Sequence, residues 1–487
     1  MSETDAIVVG SGPNGLAAAV TLARAGLSVL VLEQADRIGG GARTEELTLP
    51  GFKHDVCSAV HPMALTSDFF TRFGLSKRIA LRIPEISYGH PLPGGGAGIA
   101  YRDLERTVHG LGRDGPAWRQ LFAPLVQHYR SLAEFTGDQL LRIPRHPVTA
   151  ARFGLRVIEQ GSALWNLRFS QEVAPALLSG VLAHSIQSFP SLGTAAPGLT
   201  LASYAHALGW PVPVGGSGAI TQSLADDLLA HGGEIVTGTR VLHITDLPPA
   251  QLLLLDLTPR ALVEFAGELL PSGYTTAMSR FRYGNGVAKV DFALSDPVPW
   301  SNAELRLSPT VHVAGTRADI ARAENAVARG SYAEQPYVLT SQPTLIDPSR
   351  APEGKHVLWA YTHVPSGSDS DQSQGIIRQI ERFAPGFRDT ILATSSRTAA
   401  QLEQSNPNDV GGDIAAGDVS FRQLVARPVL STDPWRTPLR GVYLCSASTS
   451  PGPGVHGLCG WHAARSALRN EYGIRTPPDL APDQPKG

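Results

Sequence analysis

Before Glu33 is reached, the apolar positions of the chain change period twice. Ala6-Ile-Val-Val9 is an unbroken β-branched run that stops at Gly10, the pattern of a strand buried on both faces. From Asn14 to Ala25 the residues turn Ala- and Leu-rich and predict a helix; Ser28 to Leu32 returns to a short strand ending on Glu33. Strand, glycine turn, helix and strand make a βαβ unit. Further along, Ala219–His231 predicts an amphipathic helix. Gln251–Leu257 reads as a buried strand closed by Thr258-Pro259. Gly286–Leu294 and Lys355–Thr362 predict strands of a separate sheet, and Gly441–Cys445 a last buried strand before a helix running to about Tyr472. The glycine run Pro93–Gly98 follows no clear strand and opens no helix, so it is expected to be a hairpin or loop without a nucleotide.

One stretch, Trp118–Phe169, is helical, amphipathic and basic. Arg142, Arg145, Arg152, Arg156 and Arg168 stand against Asp138 and Glu159. Its plain role is a solvated helix pair covering a domain. The same pattern also suits a cap over a tunnel for an apolar substrate, or peripheral membrane contact with an anionic surface.

Length and charge narrow the picture. A chain of 487 residues exceeds what one core supports and predicts two domains with a cleft between them. The 41 basic residues balance 43 acidic ones, with no basic tail, which excludes a nucleic-acid partner. Cys57, Cys445 and Cys459 form no C-x-x-C pair, so neither a disulfide framework nor a dithiol redox centre is expected. The chain enters its first strand without a cleavable apolar leader and has no apolar run long enough to span a bilayer, so a cytoplasmic location is expected.

The chemistry is carried by glycines. In Gly10-Ser-Gly12-Pro13-Asn14-Gly15 the first glycine allows the tight turn, the second lets backbone approach a pyrophosphate, and the third lets helix pack on strand. Glu33, 18 residues after Gly15, is placed to accept hydrogen bonds from a ribose diol. This unit serves NAD and FAD alike. A second cluster, Arg37-Ile-Gly39-Gly40-Gly41-Ala-Arg43-Thr44, separates them, because it falls where a nicotinamide dehydrogenase starts its next helix.

With that cluster the chain resembles the flavoprotein superfamily of phytoene desaturases and amine oxidases, whose second motif is a GG-R-x-x-T-like loop near the pyrophosphate and flavin. That family commonly has Arg after the glycine pair; here Gly41 stands there, and the phosphate contact passes to Arg43 or to backbone amides. Gly441-Val-Tyr-Leu444 followed by SASTSPGPGVHG resembles the closing motif of phytoene dehydrogenase-like proteins; the amine oxidase Gly-Glu-x-Thr signature is missing. Pro213-Val-Gly215-Gly216, with Gly232-Gly233-Glu234-Ile-Val and Thr239-Arg-Val241-Leu-His-Ile, resembles the family's P-x-GG segment and the strand that returns to the adenine; IDPSRAPEGKHVLWAYTHVP and RFAPGF extend the likeness over nearly the whole chain, toward the branch typified by pyridine nucleotide-disulfide oxidoreductase domain-containing protein 2.

The resemblance implies an α/β fold: a Rossmann-type FAD-binding domain (1–75, 210–290 and 420–487) interleaved with an α+β substrate domain (76–209 and 291–419). It implies FAD held by Gly10, Gly12, Pro13, Asn14, Gly15, Glu33, Gly40, Gly41, Arg43, Val241, Ser446, Gly454 and Val455, and a last helix, starting near Gly454–Gly457, aimed at the flavin. The expected reaction moves a hydride between flavin and a carbon of an apolar small molecule. A redox-neutral flavin isomerase and a flavin-stabilised binding protein are the alternatives. His456 is the first candidate for proton transfer, followed by His54, His61 and His462. Asp55 is expected to fix a loop, and Trp461 and Tyr443 to pack in the core. No His or Cys spacing supports a metal.

Overall fold

The computed structural model describes residues 4–483, so the expected domain ends at 1 and 487 lie outside it. The N-terminal strand, Thr4–Val9, sits at the centre of a five-stranded parallel sheet. On one side lie Ala250–Leu255 and then Val442–Leu444; on the other lie Val29–Leu32 and then Glu234–Val236. Parallel strands need crossovers, and crossovers put helices on both faces, which is why the central strands are apolar without alternation. The Pro13–Arg24, Gly218–Ala230 and Leu458–Tyr472 helices cover one face around Ala6, Val8, Leu252 and Leu254. The other face packs Ile7, Leu255 and Leu444 against Leu262 and Phe265 of the Pro259–Ala266 helix.

A second sheet has seven strands: Ile391–Arg397, Gly286–Leu294, His356–Val364, Val338–Ser341, Thr310–Val313, Ile86–Pro91 and Ala97–Tyr101 in spatial order. All neighbours are antiparallel except Thr310–Val313 beside Ile86–Pro91. One face buries Val290, Phe292 and Leu358 with Ile376 and Phe387. The other carries Tyr88, Leu339 and Tyr361 under a helical cover that includes Trp118, Phe153, Leu178 and Leu199.

The Pro93–Gly98 run makes a hairpin, as expected, with residues 93–96 as its turn; contrary to the expectation a strand, Ile86–Pro91, precedes it, and Ala97 and Gly98 open the returning strand Ala97–Tyr101. Gly286–Leu294 lies wholly in the second sheet, so the chain changes sheets before residue 290. The stretch Thr239–Ile244 corrects an expectation: it forms no strand. Glu234–Val236 already closes the edge of the parallel sheet, and the chain then folds across the strand ends, where Gly238 and Thr239 donate to the Ala35 and Glu33 carbonyls at 2.9 and 2.8 Å. Trp118–Phe169 is helical over Gly115–Gln127, Tyr129–Thr136 and Pro147–Gln160.

Asp55 ties the two sheets together. Its Oδ1 accepts from the Ser217 amide at 2.8 Å and from Thr44 Oγ1 at 2.9 Å, and its Oδ2 accepts from Arg350 Nη2 at 2.8 Å. Arg350 and Asp55 are almost wholly excluded from solvent, so each is the other's required counter-charge.

Candidate active site

Between the two sheets opens a cavity of about 850 Å³. One end is built from backbone. The helix starting at Pro13 has Gly12 as its extended N-cap with no cap from the Gly12 side; Pro13 has no N–H and the Gly15 amide is taken by Asp256, so the positive end of the helix dipole is what is left for a ligand. Gly15 lies beneath: a β-carbon there would stand 2.1 Å from the Gly10 carbonyl oxygen, so only glycine lets the helix seat on the turn. Glu33 emerges from the end of its strand with Oε2 accepting from the Ser11 amide (2.9 Å) and hydroxyl (2.7 Å), and Oε1 accepting from the Ala35 amide (2.8 Å). These bonds aim a carboxylate of fixed orientation at the cavity wall.

The second glycine cluster lies on the first. Gly39 donates to the Ser11 carbonyl at 3.0 Å, and Gly40, with φ of +52°, approaches so closely that a β-carbon would sit 3.2 Å from Gly12 Cα. Arg43 Nε is buried without a hydrogen-bond partner, its nearest carboxylate being Glu45 at 3.6 Å; Asn14 Oδ1 is also unpartnered. Val241 reaches the same wall because the Thr239 amide is pinned to Glu33. Ser446 spends its hydroxyl on the Leu257 carbonyl at 2.7 Å and lines the cavity with Gly454 and Val455. Thus Gly10, Gly12, Pro13, Asn14, Glu33, Gly40, Gly41, Arg43, Val241, Ser446, Gly454, Val455 and His456 are brought to one cavity, and Gly15 supports it from below.

His456 has both ring nitrogens engaged: Nε2 donates to the Gly452 carbonyl at 3.1 Å and Nδ1 accepts from the Leu458 amide at 3.0 Å. Burial lowers its pKa to about 4, so it is the neutral Nε2–H tautomer that shapes the loop and starts the last helix. That helix begins at Leu458 with Gly457 as its N-cap, at the end of the expected Gly454–Gly457 window. His61 also lines the cavity, with Nε2 on Ser217 Oγ at 2.9 Å, Nδ1 unpartnered, and a pKa lowered to about 4 by burial. His54 pairs with Thr48 at 2.8 Å, and His462 with the Gly137 carbonyl at 2.8 Å; neither reaches the cavity wall. Trp461 and Tyr443 pack in the core of the parallel sheet. The three cysteines are unpaired, with Cys445 and Cys459 buried and Cys57 at the cavity.

The other end of the cavity is a side-chain wall that no local motif announces. Thr310, Ser341 and Trp359 stand abreast on neighbouring strands, with Leu339 and Tyr361 in the next row on the same face. Helical residues Phe135, Phe153 and Val157 oppose them. His184 also lines the cavity; its Nε2 meets His312 Nε2 at 2.8 Å, and burial drives both pKa values down, His184 to about 3, so the pair is neutral. Asp256 was equally unmarked in the sequence. It sits where the central strands end and accepts from the Gly15 amide at 3.1 Å, and burial, with Glu33 nearby, raises its pKa to about 7.

The donor set fits FAD. A helix N-terminus and an unpartnered, buried arginine nitrogen suit a pyrophosphate. Glu33 offers the acceptor a ribose diol needs, and the cavity continues past the glycine cradle into an apolar chamber of a size that suits a ring system and a substrate.

Comparison with known proteins agrees. Residues 8–73 match an NAD(P)-binding Rossmann-like domain. Rat pyridine nucleotide-disulfide oxidoreductase domain-containing protein 2 is 25% identical, the match covering 96% of this chain and 94% of that protein. Phytoene dehydrogenase of Streptomyces griseus is 26% identical, with 92% of each chain covered. The chain is thus similar over nearly its whole length to proteins named as oxidoreductases. A putrescine oxidase variant superposes with a TM-score of 0.62 at 16% identity, covering 96% of this chain and 99% of that one, which establishes the shared two-sheet fold. Contrary to what the name of that rat relative would suggest, the cysteines here form no disulfide: Cys57, Cys445 and Cys459 are free thiols.

Proposed function

We propose that the protein moves a hydride between flavin and a carbon of an apolar small molecule, in the manner of a desaturase or its reverse, and that it acts in the cytoplasm. The observation that carries this reading is the continuity of one cavity from the glycine cradle to a wall of Phe135, Phe153, Val157, Leu339 and Tyr361. An apolar body can lie there out of water. The name of the Streptomyces relative, phytoene dehydrogenase, points to the same class of substrate.

Bound FAD would supply the two-electron acceptor. Gly10, Gly12 and the Pro13 helix terminus would hold its pyrophosphate, together with Arg43, and Glu33 its ribose; Val241 would meet the adenine end. On the second-sheet side, Thr310, Ser341 and Trp359 would fix the substrate's register by contact, and the helical cover would exclude water. His456 would act as a positioning residue: it holds the Gly452–Leu458 turn in the shape that presents Gly454 and Val455 to the cavity. Among the groups at the cavity wall able to take or give a proton are His61, through its unpartnered Nδ1, His184, paired with His312, and Asp256.

The test is anaerobic mixing of the flavin-loaded protein with a panel of polyenes and cyclic terpenes. Bleaching of the flavin with formation of an oxidised product is expected. Turnover without net bleaching would assign the redox-neutral isomerase instead, and silence across the panel would overturn the reading. Replacement of His456 by Phe is expected to slow flavin reduction with FAD retained; unchanged reduction kinetics would remove its positioning role.

A further inference from the structure

The mouth of the cavity carries an apolar surface unlike the rest of the protein. Among the described residues, 18 large apolar side chains are exposed, and seven of them fall between 141 and 167. Ile143 is 92% exposed, Leu167 77% and Leu155 64%. A soluble surface scatters such residues singly; a contiguous set marks an interaction.

Their arrangement follows from one helix with two apolar faces. On Pro147–Gln160, Phe153 and Val157 point inward and line the cavity, while Val148, Arg152 and Leu155 recur at helical spacing on the outer face. Ile158 belongs to both surfaces, being 51% exposed and part of the cavity wall. Phe421 is likewise 53% exposed and lines the cavity. The exposed apolar face is therefore continuous with the entrance.

Charge selects the partner. Arg142 pairs with Asp138, Arg145 with Glu134, and Arg156 and Arg168 with Glu159. Four arginines thus share three carboxylates, and a fifth, Arg152, is exposed with no carboxylate partner among the described residues. Arg145 is 78% exposed beside Ile143. Long basic side chains around an apolar stripe let the stripe sink into acyl chains while the guanidinium groups stay among headgroups.

We propose that the 141–167 surface docks the cavity mouth on an anionic lipid bilayer, with the Pro147–Gln160 helix lying in the plane of the interface. Among the described residues no helix is long and apolar enough to cross a membrane, so the attachment is peripheral. Docking gives an apolar substrate dissolved in the bilayer a path into the cavity that avoids water. It does not depend on which reaction follows.

The experiment is sedimentation of the full-length, flavin-loaded protein with vesicles of phosphatidylcholine, with and without phosphatidylglycerol. Binding to the phosphatidylglycerol vesicles, weakened by salt, is expected. The triple replacement Ile143→Glu, Leu155→Glu and Leu167→Glu is expected to lower binding by about tenfold or more, with flavin content and melting temperature unchanged. Arg145→Gln with Arg152→Gln should reduce the salt dependence. No sedimentation of the wild-type protein would overturn the proposal, as would equal sedimentation of the triple variant. A wild-type dimer that the triple variant converts to monomer would place a second copy of the chain on this face, and would overturn it too.

Discussion

The two ends of the cavity are built by opposite means. At the cradle, the parallel sheet delivers backbone: strand ends, glycine turns and a helix N-terminus meet a ligand through N–H groups, and side chains such as Glu33 complete the set. At the far wall, the mixed sheet delivers side chains: Thr310, Ser341 and Trp359 come from three strands and meet only because those strands pair. A backbone site tolerates few residue types, since a β-carbon at Gly15 would strike the Gly10 carbonyl at 2.1 Å. A side-chain wall tolerates many. The cofactor end is therefore written as a motif, and the substrate end as a shape.

Four substitutions test that contrast, the first at the junction of the two halves. Arg350→Met leaves the buried Asp55 carboxylate without its counter-charge and should cost about 3–5 kcal/mol, seen as a large drop in melting temperature. An unchanged melting temperature would mean that the two sheets hold together without this pair. Next, Glu33→Ala should weaken FAD retention by roughly ten- to a hundred-fold, the loss of about 1.5–3 kcal/mol of charge-assisted hydrogen bonding, with the protein still folded. Flavin content of the purified variant reads this directly.

Asp256 gives a pH-dependent version of the same test. Burial raises its folded-state pKa to about 7, above the ordinary carboxylate value. A raised acid destabilises the fold increasingly as pH climbs from its unfolded pKa to its folded one, and the full penalty persists above about 7. Repulsion of a pyrophosphate appears only once the carboxyl ionises. FAD affinity should thus fall by about tenfold between about pH 6 and about pH 8, and Asp256→Asn should flatten the profile while keeping an acceptor for the Gly15 amide. A wild-type profile without a slope would mean that Asp256 stays neutral or does not face the phosphates. The smallest effect belongs to the wall: Leu339→Ala should shift substrate preference by roughly tenfold toward bulkier molecules, with flavin content unchanged. Lost flavin in that variant would erase the distinction between the two ends.

How much of this was legible in the chain follows from the same contrast. Gly10, Gly12, Gly15 and Glu33 lie close together in sequence, and their spacing alone forecast a strand, a turn, a helix and a buried acid, all of which the structure contains. Gly286–Leu294 was legible to the residue because its Val, Ala, Phe and Leu residues are interrupted only by Lys289 and Asp291, which are buried as a pair. Thr239–Ile244 misled because the strand there was expected from resemblance alone; Glu234–Val236 is the edge of the sheet, and beyond it the chain folds across the strand ends. His456 sits in the predicted loop, yet the use of both its nitrogens by backbone needed coordinates. Asp256 and the His184–His312 pair carry no local signature at all. Asp256 acquires its pKa from burial under a turn 241 residues away, and the two histidines lie 128 residues apart.

The central claim, that glycine turns from both ends of the chain converge on one flavin, is tested most directly by titrating flavin-free protein with FAD and following quenching of the flavin fluorescence. Saturation at one FAD per chain, abolished by Gly15→Ala, is the predicted result. A folded protein that leaves the fluorescence unchanged would contradict it.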